Sequence, residues 1–296
     1  ALGFQHVIAM YAGAIIIPLI VGSALKLSSE QLTYLISIDI FMCGIATILQ
    51  VWKNKVSGIG LPIVLGCTFT AVLPMIAIGK QSGITSIYGA ILVSGLIVVI
   101  ISRWFGQLAR FFPPVVTGSV VTIIGITLIP VAMNNMAGGE GAADFASVEN
   151  LTLAFGTLLF ILFLYKFFTG FIRSAAILIG ILCGTAAGVL MGKVNFASVS
   201  DASWMHIPHL FYFGMPTFNV SAILTMTLVA IVSLVESTGV YYALGDICEK
   251  EVTEEDLSKG YRAEGIATIL GGLFNSFPYT AFSQNVGVLQ LSGVKS

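Results

Sequence analysis

Glu236 is the residue whose position in the sequence points most directly to chemistry. It ends the apolar run Val229-Ala-Ile-Val-Ser-Leu-Val-Glu236, and no other charged residue lies within nine positions on either side. An ionisable side chain at the centre of a membrane helix costs about 2.5–3.5 kcal/mol to insert, so such a residue usually marks a functional site. A carboxyl of this kind can exchange a proton and accept hydrogen bonds from the ring N–H groups of a ligand. The alternative is a neutral acid that is hydrogen-bonded between helices.

Three further polar residues lie in or beside apolar stretches. His6 follows Gln5 in the first apolar run, where a histidine serves either a functional site or ordinary packing. Glu264 lies two residues after Arg262, near the start of a later apolar stretch. Its spacing is equally compatible with a salt bridge at the cytoplasmic end of a helix and with a buried functional role.

Two interrupted apolar stretches could supply a binding site between them. Each has a proline near its start, followed by β-forming and small polar residues, and Thr68 and Gln284 each lie six positions after their proline, in stretches 58–70 and 275–287. Transporters built from inverted repeats place their binding sites where such broken segments meet. Irregular backbone is tolerated there because it is buried in protein or lines a cavity. We predict that the two stretches face each other halfway across the membrane.

Gln284 and Asn285 place two primary amides in the second of these stretches. Each amide offers a donor and an acceptor side by side, which matches the N–H/C=O edge of an oxopurine or a pyrimidine. Because neither amide is charged, the pair suits a neutral planar ligand better than an ion. The alternative is that the amides connect neighbouring helices.

The composition requires a membrane around these residues. Apolar residues make up 57% of the 296 positions and charged residues 9%, against roughly 25% charged in an average soluble domain. The net charge is −1 and no basic stretch is present, so we expect no nucleic-acid partner.

The four cysteines lack C-x-x-C spacing, and Pro208 disfavours a helical metal face at His206 and His209. We therefore predict free thiols, no metal and no cofactor.

A spanning helix needs about 20 mostly apolar residues, and ten stretches reach or approach that length. They run near 1–24, 31–52, 58–79, 84–102, 112–134, 149–168, 171–192, 220–245, 261–275 and 277–294. Cytoplasmic loops concentrate Lys and Arg. With a cytoplasmic N-terminus, all of the 13 Lys and Arg residues except Lys26, Lys80 and Lys193 fall on the cytoplasmic side. This alternation predicts a multi-pass protein in that orientation.

The segments between the spans are predicted as loops. Residues 134–148 are rich in Gly and Ala and indicate an external loop, and residues 196–219 indicate an interfacial excursion with aromatic side chains at headgroup level. Residues 249–259 read as a charged cytoplasmic loop in which Thr253 and Asp256 could cap a short helix. Because the sequence enters an apolar run at its first residue without a basic flank, we expect it to be a fragment of a longer protein.

Several of these motifs together resemble one transporter family. The run Gln284-Asn-Val-Gly-Val-Leu-Gln-Leu-Ser-Gly293 is similar to the signature of the nucleobase–ascorbate transporters, also called the second nucleobase:cation symporter family. Gln5-His6 resembles that family's first-helix pair, Glu236 its eighth-helix glutamate, and Glu264 its ninth-helix acid. Thr68-Phe69 lies where the family's third segment carries a ligand-facing polar residue and an aromatic. The resemblance covers essentially the whole chain and is closest to bacterial xanthine permeases.

The resemblance implies an all-α polytopic membrane protein with two inverted repeats of seven segments and two short antiparallel strands in segments three and ten. It implies a core domain formed by residues 1–105 and 196–296 and a gate domain that begins with residues 106–195, with the last four of fourteen segments absent from this sequence. It also implies the site. The substrate-binding residues are expected to be Glu236, Gln284, Thr68, Phe69, Ser283 and Asn285, and those that couple protons or tune the site Glu236, His6, Glu264 and Gln5.

The activity that the resemblance implies is import of xanthine or a related purine base by proton symport across a bacterial inner membrane. Gln284 in place of Glu favours purines over uracil in this family, whereas Thr68, where some xanthine carriers have Asn, leaves uric acid open. Val240 stands one turn after Glu236, where some members carry a second polar group, so a single carboxyl could do the proton work. Guanine, hypoxanthine and uracil as substrates, sodium as the coupling ion, and an anion exchanger or channel on the same fold are the alternatives. We expect a homodimer in the bilayer and no enzymatic activity.

Overall fold

The structure is a computed structural model that describes residues 2–108, 114–139, 142–194 and 207–292. Its helices are α1 (Leu2–Ala24), α2 (Ser29–Val51), α3 (Val72–Ser82), α4 (Ile84–Leu108), α5 (Pro114–Met136), α6 (Val148–Phe167), α7 (Gly170–Ser174), α8 (Ala176–Leu190), α9 (Val220–Ile247), α10 (Glu254–Phe274) and α11 (Ser283–Ser292). Two strands, β1 (Leu65–Cys67) and β2 (Tyr279–Ala281), form one antiparallel sheet.

The predicted all-α membrane fold is confirmed. Within the described ranges, five helices are long and apolar enough to cross a membrane by length and composition, and they belong to α1, α2, α4, α6 and α9. Each of the ten predicted stretches overlaps a described helix, or a strand followed by a helix, and the third and tenth contain the two strands. The protein is therefore a multi-pass membrane protein.

The chain divides into two compact units. The first comprises Ala1–Ala12 and Thr127–Pro208, and the second comprises Gly13–Ile126 and His209–Ser296. In the first unit α6 packs against α8, and Lys193 forms ion pairs with Asp144 and Glu149 at 2.5 and 3.1 Å. The second unit contains both strands and the helices that pack on them.

The second unit is built around the sheet. α2 packs on β1, whereas α9 and α10 pack on β2. α4 in turn packs along α10, where Gly95 and Gly265 allow the two backbones to approach: a β-carbon on Gly95 would lie 3.0 Å from the Gly265 carbonyl oxygen. Small residues at such crossings are typical of membrane helices. The sheet is thus enclosed by α2, α9 and α10, with α4 behind α10.

The charged segment 249–259 differs from its prediction as a loop. Residues 254–260 form the first turns of α10, which begins well before the predicted start at residue 261. A capping box explains the helix start: the Thr253 hydroxyl accepts from the Asp256 N–H, and the Asp256 carboxylate accepts from the Thr253 N–H. Lys53 adds an ion pair to Asp256 at 2.5 Å, and Leu257 is buried. The expected capping pair is therefore present, and the loop prediction holds for residues 249–253 but is wrong for residues 254–259.

The predicted interfacial excursion can be followed only from residue 207, because Trp204 and His206 lie outside the described residues. From 207 to 219 the chain is non-helical. Tyr212 stacks on Tyr34 of α2 with ring centroids 3.8 Å apart, and the Phe211 N–H donates to the Leu273 carbonyl of α10. This segment therefore packs against the ends of α2 and α10.

Replacement of Thr253 by Ala should destabilise the start of α10. Loss of an N-cap hydroxyl typically costs about 1 kcal/mol, because one orphan N–H of the first turn loses its acceptor. We expect a lower melting temperature for the Thr253→Ala protein in detergent. Thr253→Ser, which keeps the hydroxyl, is the control and should melt as the wild type; equal melting of all three proteins would contradict the capping role.

Candidate functional site

The two broken stretches meet as a short antiparallel ladder. Leu65, Gly66 and Cys67 lie opposite Ala281, Thr280 and Tyr279. Two flanking bonds lengthen the ladder: the Thr68 N–H donates to the Pro278 carbonyl at 2.9 Å, and the Phe282 N–H donates to the Val64 carbonyl at 3.0 Å. Both strands are buried along their whole length. The predicted meeting of the two segments is therefore confirmed.

Hydroxyl groups from the surrounding helices satisfy the outer edges of this ladder. The Leu65 N–H donates to Thr47 of α2 at 3.1 Å, the Ala281 N–H to Ser237 of α9 at 3.2 Å, and the Tyr279 N–H to Thr268 of α10 at 3.4 Å. An unpaired N–H away from water costs several kcal/mol, so a two-stranded sheet inside a membrane requires such acceptors. The strand pair is thereby tied to all three helices.

One face of α9 lies against both broken segments. The Ser233 hydroxyl shares a hydrogen bond with the Thr68 hydroxyl at 3.1 Å, and the Ser237 hydroxyl shares one with the Thr280 hydroxyl at 2.9 Å. Between these contacts Glu236 accepts a long hydrogen bond from the Thr70 hydroxyl at 3.4 Å. Residues three and four apart lie on one helix face, so this spacing directs all three side chains at β2 and at the residues that follow β1.

The Glu236 carboxyl has few protein partners. It is partly exposed, the Thr70 bond is longer than a good O–H···O contact, and no ion pair joins it to any described Lys or Arg. A carboxylate takes about four hydrogen bonds when it is fully satisfied. Glu236 therefore retains acceptor capacity for a ligand at the strand ends.

Glu264 is placed differently. It is 2% exposed and accepts a hydrogen bond from the Tyr241 hydroxyl, which itself accepts from the Gln50 amide. The Arg262 side chain does not pair with Glu264 and donates instead to the Val56 carbonyl at 2.8 Å. Glu264 is therefore buried and forms no salt bridge with Arg262 in the described part of the chain, and its functional role stays a prediction.

The other predicted site residues occupy three environments. Phe69 is partly exposed in a short 3₁₀ turn, Phe69–Ala71, that Thr68 caps and that contacts α9. Ser283 and Gln284 are exposed at the start of α11, whereas Asn285 is 3% exposed, and α11 also contacts α9. Gln5 and His6 lie on α1 within the first unit and are partly exposed. Their roles stay predictions.

Sequence reasoning missed four residues at this site. Ser233, Ser237 and Thr70 were not singled out, although two serines at helical spacing around Glu236 were a readable signal. Asp39 of α2 was also missed, although it is a carboxylate inside an apolar stretch, and it is fully buried.

The Asp39 carboxylate accepts from the Cys67 thiol at 2.6 Å, so this free thiol also acts as a hydrogen-bond donor. The ligand atoms of Asp39, Cys43 and Cys67 lie within 4.8 Å of one another. Hydrogen bonds donated by Cys67, Ser276 and Tyr279 already occupy the carboxylate of this group.

The arrangement defines a class of protein. Helices of membrane-spanning length surround two crossed, broken segments, and a partly exposed carboxyl and amide groups lie at their ends. This construction is typical of secondary membrane transporters, a class that places its binding sites at such broken segments.

Comparisons with known proteins agree with this class. A family model described as "Permease family" (Xan_ur_permease) matches residues 1–296. Uric acid permease PucK of Bacillus subtilis (strain 168) is 66% identical over 295 residues, which cover 100% of this chain and 69% of that protein. Xanthine permease of the same organism is also 66% identical, with 100% of this chain and 67% of that protein covered. The chain belongs to this permease family, the nucleobase–ascorbate transporters, whose members here are transporters and not enzymes.

A solved structure shows the same fold. The transmembrane domain of a cyanobacterium bicarbonate transporter, BicA, aligns with a TM-score of 0.71 over 99% of this chain and 77% of that chain. At 15% sequence identity this likeness concerns the fold alone.

Gly66 provides a test of the strand crossing. A β-carbon at this position would lie 2.3 Å from the ring of Phe282, which is itself buried, so the ring or the strand would have to shift. Overpacking of this kind costs typically about 1–3 kcal/mol, and we expect Gly66→Ala to lower the melting temperature in detergent. Gly44→Ala in α2, where a β-carbon would meet nothing within 4 Å, is the matched control and should not lower it. If Gly66→Ala melted like Gly44→Ala, the close contact of β1 with Phe282 would be disproved.

Proposed function

We propose that the protein imports xanthine or a closely related purine base by proton symport. The observation that carries this proposal is the placement of Glu236 on the face of α9 that meets both strand segments, with acceptor capacity left unused. Membership of the permease family supports a purine base as cargo. The 66% identity to a uric acid permease equals that to a xanthine permease, so uric acid is the second candidate substrate.

The proposed binding mode uses hydrogen bonds to the polar edge of a flat heterocycle. The Glu236 carboxylate accepts from ring N–H groups, and the Gln284 amide pairs with an N–H/C=O edge. Phe69 offers an aromatic face beside Thr68, and Ser283 and Asn285 line the start of α11. Backbone polar groups at the ends of β1 and β2 complete the set, since unwound segments present such groups to ligands.

Glu236 is also the proposed proton carrier. Its single long hydrogen bond to Thr70 constrains neither protonation state strongly, so base and proton can bind to the same group. Each elementary charge moved through the membrane potential contributes about 2.3 kcal/mol per 100 mV, which is sufficient for substantial accumulation. Glu264 and His6 are proposed to tune the site, and sodium is the alternative coupling ion.

The remaining parts of the proposal concern the whole protein. Residues 1–105 and 196–296 are assigned to a core domain that carries the site, and residues 106–195 to the first part of a gate domain. Movement of the core against the gate would expose the site alternately to the two sides. We place the protein in the bacterial inner membrane as a homodimer with a cytoplasmic N-terminus, in line with the Lys and Arg distribution.

Replacement of Glu236 by Gln tests the proposed role directly. The amide cannot carry a transported proton, and it presents a donor where the ligand requires an acceptor. We expect uptake of radiolabelled xanthine by cells expressing the full-length Glu236→Gln protein to fall by at least about tenfold, the equivalent of one lost charge-assisted hydrogen bond. Glu30→Gln, which alters an exposed carboxyl in the first turn of α2, is the control and should transport normally. Undiminished, proton-dependent uptake by Glu236→Gln would remove this residue from the mechanism.

A competition assay tests the substrate class. Unlabelled xanthine, uric acid, guanine, hypoxanthine and uracil are each added in excess to cells taking up labelled xanthine. We expect oxopurines to compete and uracil to compete poorly, because Gln284 replaces the acid that favours uracil. Efficient competition by uracil, or by bicarbonate, would contradict the assignment to purine bases.

A further inference from the structure

Asp39 is a buried carboxylate to which the proposed mechanism gives no role. It lies in the middle of α2 with 0% exposure. Its Oδ2 accepts from the Cys67 thiol at 2.6 Å. Its Oδ1 accepts from the Ser276 hydroxyl at 2.6 Å and, more weakly, from the Tyr279 hydroxyl at 3.5 Å. No ion pair joins it to a Lys or Arg in the described part of the chain, so neutral donors alone compensate its burial.

The partners of Asp39 belong to both broken segments. Cys67 and Tyr279 lie directly opposite each other in the ladder, so their side chains project from the same face of the sheet. Ser276 precedes β2 and shares a 2.5 Å hydrogen bond with the Tyr279 hydroxyl. One carboxylate of α2 is therefore linked to both members of a cross-strand pair, directly to Cys67 and mainly through Ser276 to Tyr279.

This end of the ladder adjoins the predicted ligand-facing residues. Thr68 and Phe69 follow Cys67 immediately, and the Thr68 N–H donates to the Pro278 carbonyl, one residue before Tyr279. At the opposite end of β1, α2 makes a second contact, from Thr47 to the Leu65 N–H. A shift of Cys67 relative to Tyr279 would carry Thr68 and Phe69 with it.

We propose that Asp39 is a positioning residue for the purine site. It fixes the crossing of β1 and β2 at the ladder end from which Thr68 and Phe69 reach the ligand, and it does not touch the ligand itself. This inference rests on the proposed function, because it assigns Asp39 a role in the affinity of that same site. All described partners of the Asp39 carboxylate donate hydrogen bonds to it, so the side chain at this position must accept on both of its oxygens. The amide of an asparagine would instead direct its own N–H groups at one of these donors.

The first test replaces Asp39 by Asn in the full-length protein. The expected result is a KM for xanthine uptake raised by at least about tenfold, as for the loss of one hydrogen bond to a charged group, with Vmax per transporter changed much less. Transporter abundance in the membrane and the melting temperature in detergent are measured in parallel. A melting temperature that falls while KM stays at the wild-type value would mean a purely structural role and would overturn the proposal.

A second set of variants decides the matter even if Asp39→Asn does not accumulate. Cys67→Ser keeps a donor to Asp39 and should retain the wild-type KM, whereas Cys67→Ala removes the donor and should raise KM severalfold. Cys183→Ala, which removes an exposed thiol of α8 outside this cluster, is the control and should behave as the wild type. Equal KM values for Cys67→Ser and Cys67→Ala would overturn the proposal. Absence of xanthine uptake by the wild type would instead contradict the proposed function, so the two failures are distinguishable.

Discussion

The pairing of two three-residue strands inside a bundle of apolar helices is the constraint on which the rest of the structure depends. In a membrane every buried N–H and C=O requires a partner, and a two-stranded sheet satisfies only its inner edge. The outer edge is satisfied by hydroxyls of Thr47, Ser237 and Thr268, one from each enclosing helix. Because two membrane segments are broken into strands, α2, α9 and α10 must each supply a polar side chain to the sheet. Those same breaks leave backbone and side-chain groups available at the strand ends.

Three acids lie near this sheet, and their surroundings separate their roles. Asp39 receives hydrogen bonds from Cys67, Ser276 and Tyr279, and Glu264 is held by Tyr241 in full burial. Glu236 has one long bond and partial exposure. A carboxylate already occupied by protein donors stabilises its neighbours, whereas one with free acceptor capacity can bind a ligand. Asp39 is distinguished from the proposed binding acid by its donors, whereas Glu264, whose Oε2 has no hydrogen-bond partner among the described residues, is distinguished by its burial.

Much of this architecture could be predicted from the sequence, because the relevant signals are local. Apolar runs predicted the helices, and the matching offsets of Pro62 to Thr68 and Pro278 to Gln284 predicted two broken segments that meet. Thr253 and Asp256 predicted a helix cap, although the charged composition of residues 254–259 wrongly favoured a loop there. The contacts of Asp39 could not be predicted, since Ser276 and Tyr279 are 237 and 240 residues away and no local pattern indicates their proximity. The register that places Cys67 opposite Tyr279 is likewise a tertiary property.

The most direct measurement of the central claim is an experimental structure of the full-length protein with a purine base bound. The account predicts a planar ligand within hydrogen-bonding distance of the Glu236 carboxyl, with its remaining edge facing the ends of β1 and β2 and the start of α11. A base bound elsewhere in the protein, or Glu236 turned away from both broken segments in the occupied state, would contradict it.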